Sequence, residues 1–256
     1  MTSAAARRVL VVAGLGQGSG TGASAARLFS QAGYSVALVA RGAETVNKLA
    51  QELNSNGGEA SSFPVDAYSA KDINSVWNLI RAKYPAPNYT IGAAIFNVGQ
   101  GMWKPFLDIT PEDVRLSLEV NVEAAFAFSR EAILTFKENE ISEPAGKRGT
   151  LIFTGATASL RGNTTTSVFA AGKFGLRALS QSLAKEFGKD NIHVAHAIID
   201  GGILSERLAS MKPEVVNNAN VRLDPDSIAK SYLYLTNQDR SSWTWELDLR
   251  PAHERW

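Results

Sequence analysis

Lys173 follows Phe169 by four residues in "SVFAAGKFG" (167–175), a spacing that stacks the two side chains on one helix face, one turn apart. An inward-facing lysine there is a cation and a triple donor, suited to holding a ligand hydroxyl or shifting a neighbour's pKa. The phenyl ring beside it can neither give nor take a proton. The pair therefore combines a group that does chemistry with one that does none.

A second constellation lies near the start of the chain. "VLVVAGLGQGSGTGASAARLF" runs from a β-branched stretch into Gly14, Gly16, Gly18, Gly20 and Gly22 and then into a helix-forming stretch. Glycines let such a turn close, bring backbone N–H groups up to a pyrophosphate and leave the helix amino end to stabilise its charge. Further on, "ALVARGAE" offers no acid to take a ribose 2′-hydroxyl and instead supplies Arg41. A guanidinium fork matches a 2′-phosphate, which a carboxylate would repel, so NADP(H) is expected over NAD(H).

The elements that must position these groups alternate along the chain. Strands are expected at Arg8–Ala13, Ser35–Ala40, Ser61–Val65, Ala93–Asn97, Thr150–Thr154, Ile192–Ile199 and Trp243–Leu249. Helical patterns fill Thr21–Ala32, Ala43–Asn56, Ala70–Lys83, Pro111–Asn139, Val168–Gly188 and Pro225–Asn237, with Thr110 a cap before Pro111. Near-continuous apolar strands between helices predict a Rossmann-like, doubly wound α/β domain of about seven parallel strands, covered on both faces. Nothing divides residues 1–256; "EISEPAGKRG" (140–149) is a loop within this one domain.

Taken together, the Gly14-x-x-x-Gly18-x-Gly20 spacing, Asp66 in "PVDA", "FNVG" (96–99), "NVEAAF" (121–126) and Lys173 in "AAGKFG" resemble the short-chain dehydrogenase/reductase family over nearly the whole chain. The resemblance implies a nicotinamide cofactor, a small-molecule substrate and a homodimer or homotetramer. It implies that Gly14, Gly18, Ser19 and Gly20 meet the pyrophosphate, Arg41 the adenosine 2′-phosphate and Asp66 the adenine amine. Asn97, Gly99 and Ile203 line the cofactor path, with residues 200–222 as the substrate-loop region. Ala13 stands where the family usually has threonine.

The family's active site resembles a serine, tyrosine, lysine and asparagine set. The tyrosine protonates the carbonyl oxygen, the serine steadies it, the lysine holds the nicotinamide ribose and the asparagine orders a relay water. Asn121 and Lys173 match. Phe169 occupies the tyrosine position and Ala156 the serine position; the nearest hydroxyls, Ser167 and Thr157, do not keep the spacing. Losing a positioned acid costs roughly 10²–10⁴ in rate. Asp200 in "IIDGGIL" is the candidate substitute acid, since a desolvated carboxyl there would have a raised pKa. Capping the loop that follows is its alternative role. His196 is expected as a hydrogen-bonded core residue, His193 at the surface, and Trp103 as either a pocket wall or a loop anchor. Trp243 and Trp245, two apart, are expected on one face of the last strand.

Composition narrows the remaining choices. The chain has 256 residues, 45% of them hydrophobic, and a net charge of +1 from 26 basic and 25 acidic residues, which predicts no nucleic-acid or membrane partner. Having no cysteine and three histidines argues against disulfides, thiolate chemistry and a metal site. Arg7 and Arg8 precede a short apolar run that passes into glycines, so a first strand is expected rather than a signal peptide, and the location cytoplasmic. The expected function is an NADP(H)-dependent oxidoreductase with a non-standard proton donor, acting on a carbonyl or an enone. The alternatives are a cofactor-binding pseudoenzyme serving as sensor or interaction subunit, and a non-redox catalyst in the same pocket.

Overall fold

β-branched and apolar residues dominate the central strand runs, and burial on both faces explains why these read as continuous rather than alternating. In the computed structural model, which describes residues 6–143 and 145–254, these runs form β1 (Arg7–Ala13), β2 (Ser35–Arg41), β3 (Glu59–Val65), β4 (Tyr89–Phe96), β5 (Gly149–Thr154), β6 (Ile192–Ile199) and β7 (Glu246–Leu249). They make one seven-stranded sheet in the order β3-β2-β1-β4-β5-β6-β7, and every pairing is parallel. The order reverses between β1 and β4, so a crevice opens beyond their carboxyl ends.

Helices cover both faces. On one side α1 (Thr21–Gln31), α2 (Ala43–Ser55) and α8 (Pro225–Asn237) pack over Leu10, Val12, Leu38 and Ile95. On the other, α3 (Ala70–Lys83), α5 (Ala124–Lys137) and α6 (Ser167–Phe187) bury Trp77, Phe128, Phe136 and Leu176 against Val11, Phe96 and Phe153. Trp77 and Phe96 each pack a ring on Phe128, with centroids 5.3 and 5.4 Å apart.

Residues 111–139 do not form the single helix that their periodicity predicts. The chain makes α4 (Pro111–Leu118), a π-helical turn (Glu119–Glu123) and then α5. Asn121 explains the break, because its Nδ2 donates to the Ser117 carbonyl at 3.0 Å and takes an acceptor the backbone ladder would otherwise use. The start of α4 is as expected: Thr110 Oγ1 accepts from Asp113 N, and the Asp113 carboxylate accepts from Thr110 N. The short helix α7 (Glu206–Met211), capped by Ser205, lies inside the expected loop region.

The last strand begins at Glu246, so the tryptophans precede it and do not share a face. Trp243 stacks flat on His193, centroids 5.0 Å apart, whereas Trp245 is exposed. His193 is fully buried on β6 and not at the surface, because β6 is a central strand flanked by β5 and β7. Among the described residues no helix is long and apolar enough to cross a membrane.

Candidate functional site

The glycine loop leaves β1 and turns back under the start of β4's loop. Gly14 has φ +92°, and a Cβ there would lie 2.7 Å from the Asn97 carbonyl, so no larger residue fits the turn. Asn97 braces it, donating from Nδ2 to the Gly14 carbonyl at 2.7 Å and from its backbone N to Ala13 at 2.8 Å. Arg27, bound through two nitrogens to Glu52, also donates to the Gly18 carbonyl at 3.2 Å. Gly20 caps α1 without a side-chain bond to the first turn, and Thr21 Oγ1 is buried there without a hydrogen-bond partner. An uncapped helix end beside an unsatisfied hydroxyl fits an anionic ligand such as a pyrophosphate. The sequence pattern singled out the glycines but not Thr21. Ser19 Oγ accepts from Glu206 N at 3.2 Å, which ties the loop to α7.

Arg41 ends β2, exposed, with its guanidinium 5.3 Å from the centre of the Tyr68 ring. Tyr68 is buried and steadies the cation; no sequence spacing marks this, because the contact depends on β2 and β3 ending side by side. Asp66 lies exposed just after β3. Ile203, half-buried, bridges to Leu223 and packs on the α1–α8 side.

Lys173, Asn121 and Gly99 come together from α6, the π turn and the loop after β4. Lys173 is 4% exposed, and its Nζ donates to the Thr154 carbonyl at 2.9 Å and the Val98 carbonyl at 3.5 Å. Burial pushes its pKa down to about 8. A Cβ on Gly99 would sit 3.2 Å from that Nζ and 3.6 Å from Asn121 Oδ1. Asn121 accepts from Gln100 N and donates to Gln100 O, each at 3.1 Å, and so fixes the loop that carries Gly99. Gly172 lets α6 pass this close, since a Cβ there would meet Asn121 at 3.0 Å.

Phe169 lies on the first turn of α6 and is half-buried, its ring centroid 5.5 Å from that of Trp103 at an interplanar angle of 46°. Ala156 begins the turn after β5, where its N donates to Ser159 Oγ at 3.1 Å. Neither Phe169 nor Ala156 carries a side-chain donor.

Asp200 is fully buried, yet its surroundings are not those expected of a proton donor. Its carboxylate accepts from Thr157 Oγ1 at 2.5 Å and from both terminal nitrogens of Arg161 at 3.2 and 3.3 Å, and Arg250 approaches to 3.4 Å. Through those contacts the side chain joins the ends of β6 and β7 to the loop after β5. His196 is buried as expected, but both of its ring nitrogens lack hydrogen-bond partners, so it is not a hydrogen-bonded core residue. Burial, with Lys173 nearby, lowers its pKa to about 4 and keeps it neutral, so Glu246 at 4.0 Å is no ion-pair partner. Among the described residues no cluster of histidine and acidic groups could hold a metal ion.

This geometry agrees with the chain's relatives. Residues 8–215 match the short chain dehydrogenase family profile. The chain is 28% identical over 206 residues to a 3-oxoacyl-[acyl-carrier-protein] reductase of Bos taurus, covering 80% of this chain and 81% of that one. It is 25% identical over 240 residues to a 3alpha-hydroxysteroid dehydrogenase of Mediterraneibacter gnavus, covering 89% and 90%. A solved short-chain dehydrogenase from Rhodopseudomonas palustris superposes with TM-score 0.77 at 32% identity, covering 95% of this chain and 98% of that one. A metagenomic short-chain oxidoreductase in complex with NADP shares the fold at TM-score 0.77 and 23% identity, covering 97% and 99%. With the family profile spanning most of the chain and the glycine loop, Asn121 and Lys173 set around one crevice, the protein belongs to the short-chain dehydrogenase family.

Proposed function

We propose that the protein is an NADP(H)-dependent oxidoreductase whose preferred acceptor is a carbon–carbon double bond conjugated to a carbonyl. The observation that carries this reading is the first turn of α6. It sets Phe169 one turn before a buried, charged Lys173 and so offers a phenyl ring where a carbonyl oxygen would need an acid. Gly14, Gly18, Ser19 and Gly20, with Thr21 and the open end of α1, would hold the pyrophosphate. Arg41 on Tyr68 would pair with the 2′-phosphate, and the NADP bound by the metagenomic relative supports that preference. Asp66 would meet the adenine, and Asn97, Gly99 and Ile203 would line the nicotinamide side.

When bound, the cofactor supplies a hydride. Lys173 would hold the ribose hydroxyls through Nζ, and its ammonium stays charged below a pKa of about 8. Asn121 would keep the Gly99 loop and Lys173 in register. Neither Phe169 nor Ala156 can protonate or steady a carbonyl oxygen. Reduction of a conjugated alkene places its proton on a carbon remote from both, where water suffices, so their lack of hydroxyls costs less there. Asp200 serves by anchoring Arg161, not by donating a proton.

The test is an enone panel followed by NADPH absorbance and product mass. Turnover no faster than the NADPH-only blank overturns the activity. Tight NADPH binding without turnover would favour a cofactor-binding sensor or interaction subunit, which the pairing of Lys173 with Phe169 also fits. Exposed Leu118, Phe126 and Leu134 on α4 and α5 favour a homo-oligomer, which light scattering checks.

A further inference from the structure

The loop after β4 carries Met102 and Trp103 at its tip and is held at Gln100 by Asn121 and at Lys104. Lys104 Nζ pairs with Asp113 at 2.7 Å, and Lys104 N donates to the Thr165 carbonyl at 2.8 Å. Thr165 makes that bond from φ +66°, a left-handed conformation that a β-branched residue rarely adopts. The turn is imposed locally: Asn163 N donates to Thr166 Oγ1 at 2.8 Å, and at the start of α6 Ala170 N donates to the Thr166 carbonyl at 2.7 Å. Strain of this kind persists where the surrounding structure fixes it and concentrates at ligand sites.

The consequence of the tie is the position of Trp103. Its indole folds over Gly101, where a Cβ would come within 2.8 Å of the ring, and it meets Phe169 at 5.5 Å. Even so, Trp103 remains 63% exposed. A large ring held this firmly, yet with most of its surface open, is arranged for contact with something other than its own chain. Phe169 is one turn from Lys173, so this aromatic pair borders the end of the cleft where the substrate would lie.

We propose that Trp103 and Phe169 form an aromatic wall that selects substrates carrying a flat, apolar ring next to the reacting double bond. The Thr165–Lys104 tie holds the wall in place. This rests on the oxidoreductase reading above and adds the substrate's shape to it. A planar conjugated ring offers a π face to both side chains, whereas a flexible alkyl chain of equal size pays rotamer entropy to lie against them and gains no ring contact.

The test measures binding before turnover. NADPH affinity is determined first, by calorimetry; absence of binding removes the cofactor reading and is recognised as that failure. With NADP⁺, which carries no hydride to give, bound in place of NADPH, benzylideneacetone and an aliphatic enone of the same carbon count are then titrated by calorimetry. The wild-type protein is expected to bind the aryl enone about tenfold more tightly, the order of one well-packed ring contact. Trp103→Ala is expected to bring the ratio near one while leaving NADPH affinity unchanged. Thr165→Gly, which relieves the strain and keeps the carbonyl, is expected to lower the ratio in part with no loss of thermal stability. Equal affinities in the wild type, or a ratio unchanged by Trp103→Ala in a protein that still binds NADPH, would overturn the wall.

Discussion

Lys173 Nζ lies 2.9 Å from the carbonyl oxygen of Thr154, the last residue of β5, so a buried bond ties α6 to the carboxyl end of a central strand. The amine pays for that position with desolvation, which lowers its pKa from 10.5 to about 8. Between those values the unfolded chain binds the proton more readily than the fold does. Stability therefore rises as pH increases from about 8 to 10.5, and at neutral pH the buried cation is a net cost. Lys173→Met is expected to raise the thermal midpoint, by a stability gain on the order of 1–3 kcal/mol. The same variant should weaken NADPH binding at least tenfold, so that calorimetry and thermal melts move in opposite directions.

Arg41 provides the second test. Its guanidinium is exposed above Tyr68, so its removal leaves no buried partner unsatisfied. Arg41→Ala is expected to leave thermal stability within about 0.5 kcal/mol of wild type. It should weaken NADPH roughly tenfold, the order of one charged contact, with NADH unaffected. Isothermal titration with both cofactors checks this, and an equal loss for each would assign Arg41 elsewhere.

Adding hydroxyls at Phe169 and Ala156 should change the chemistry more than the fold. Phe169 is half-buried and not a core residue, so Phe169→Tyr adds one oxygen without refilling a core site. Together with Ala156→Ser it is expected to confer reduction of simple ketones, raising kcat/KM about 10²-fold or more as a positioned acid does. Steady-state kinetics on a saturated ketone would detect it.

Acid stability follows from β6. His193 and His196 are both buried, and burial lowers each to about 4 from 6.5. For a base with a lowered folded pKa, the unfolded chain takes up the proton first. Stability is then lost as pH falls from 6.5 towards 4, by an amount on the order of a few kcal/mol for the two together. Urea midpoints at about pH 7 and about pH 4.5 measure this, and His196→Leu should flatten the dependence by roughly half.

Much of this architecture was legible in the sequence because it follows from local rules. Strand runs at 35–40 and 192–199, the capped start at Thr110 and the glycine turn each announce themselves by residue type and spacing. What escaped depends on contacts between distant segments. The π turn arises because the Asn121 side chain competes for a carbonyl, and α7 is a six-residue helix with no apolar period to betray it. Arg161 and Arg250, which reach the Asp200 carboxyl at 3.2 and 3.4 Å, lie 39 and 50 residues away from it in the chain. His193 read as surface because nothing local marks Trp243, 50 residues on, as the ring that stacks over it.

The central claim is that the site delivers a hydride to a conjugated double bond without an acid at the carbonyl oxygen. One measurement tests it most directly: wild-type protein with NADPH is given an enone and its saturated ketone in parallel, with products identified by mass and nuclear magnetic resonance. The account predicts that the enone is consumed with one NADPH oxidised per saturated ketone formed, and that the saturated ketone is left untouched. Reduction of the saturated ketone to its alcohol at a comparable kcat/KM would contradict it.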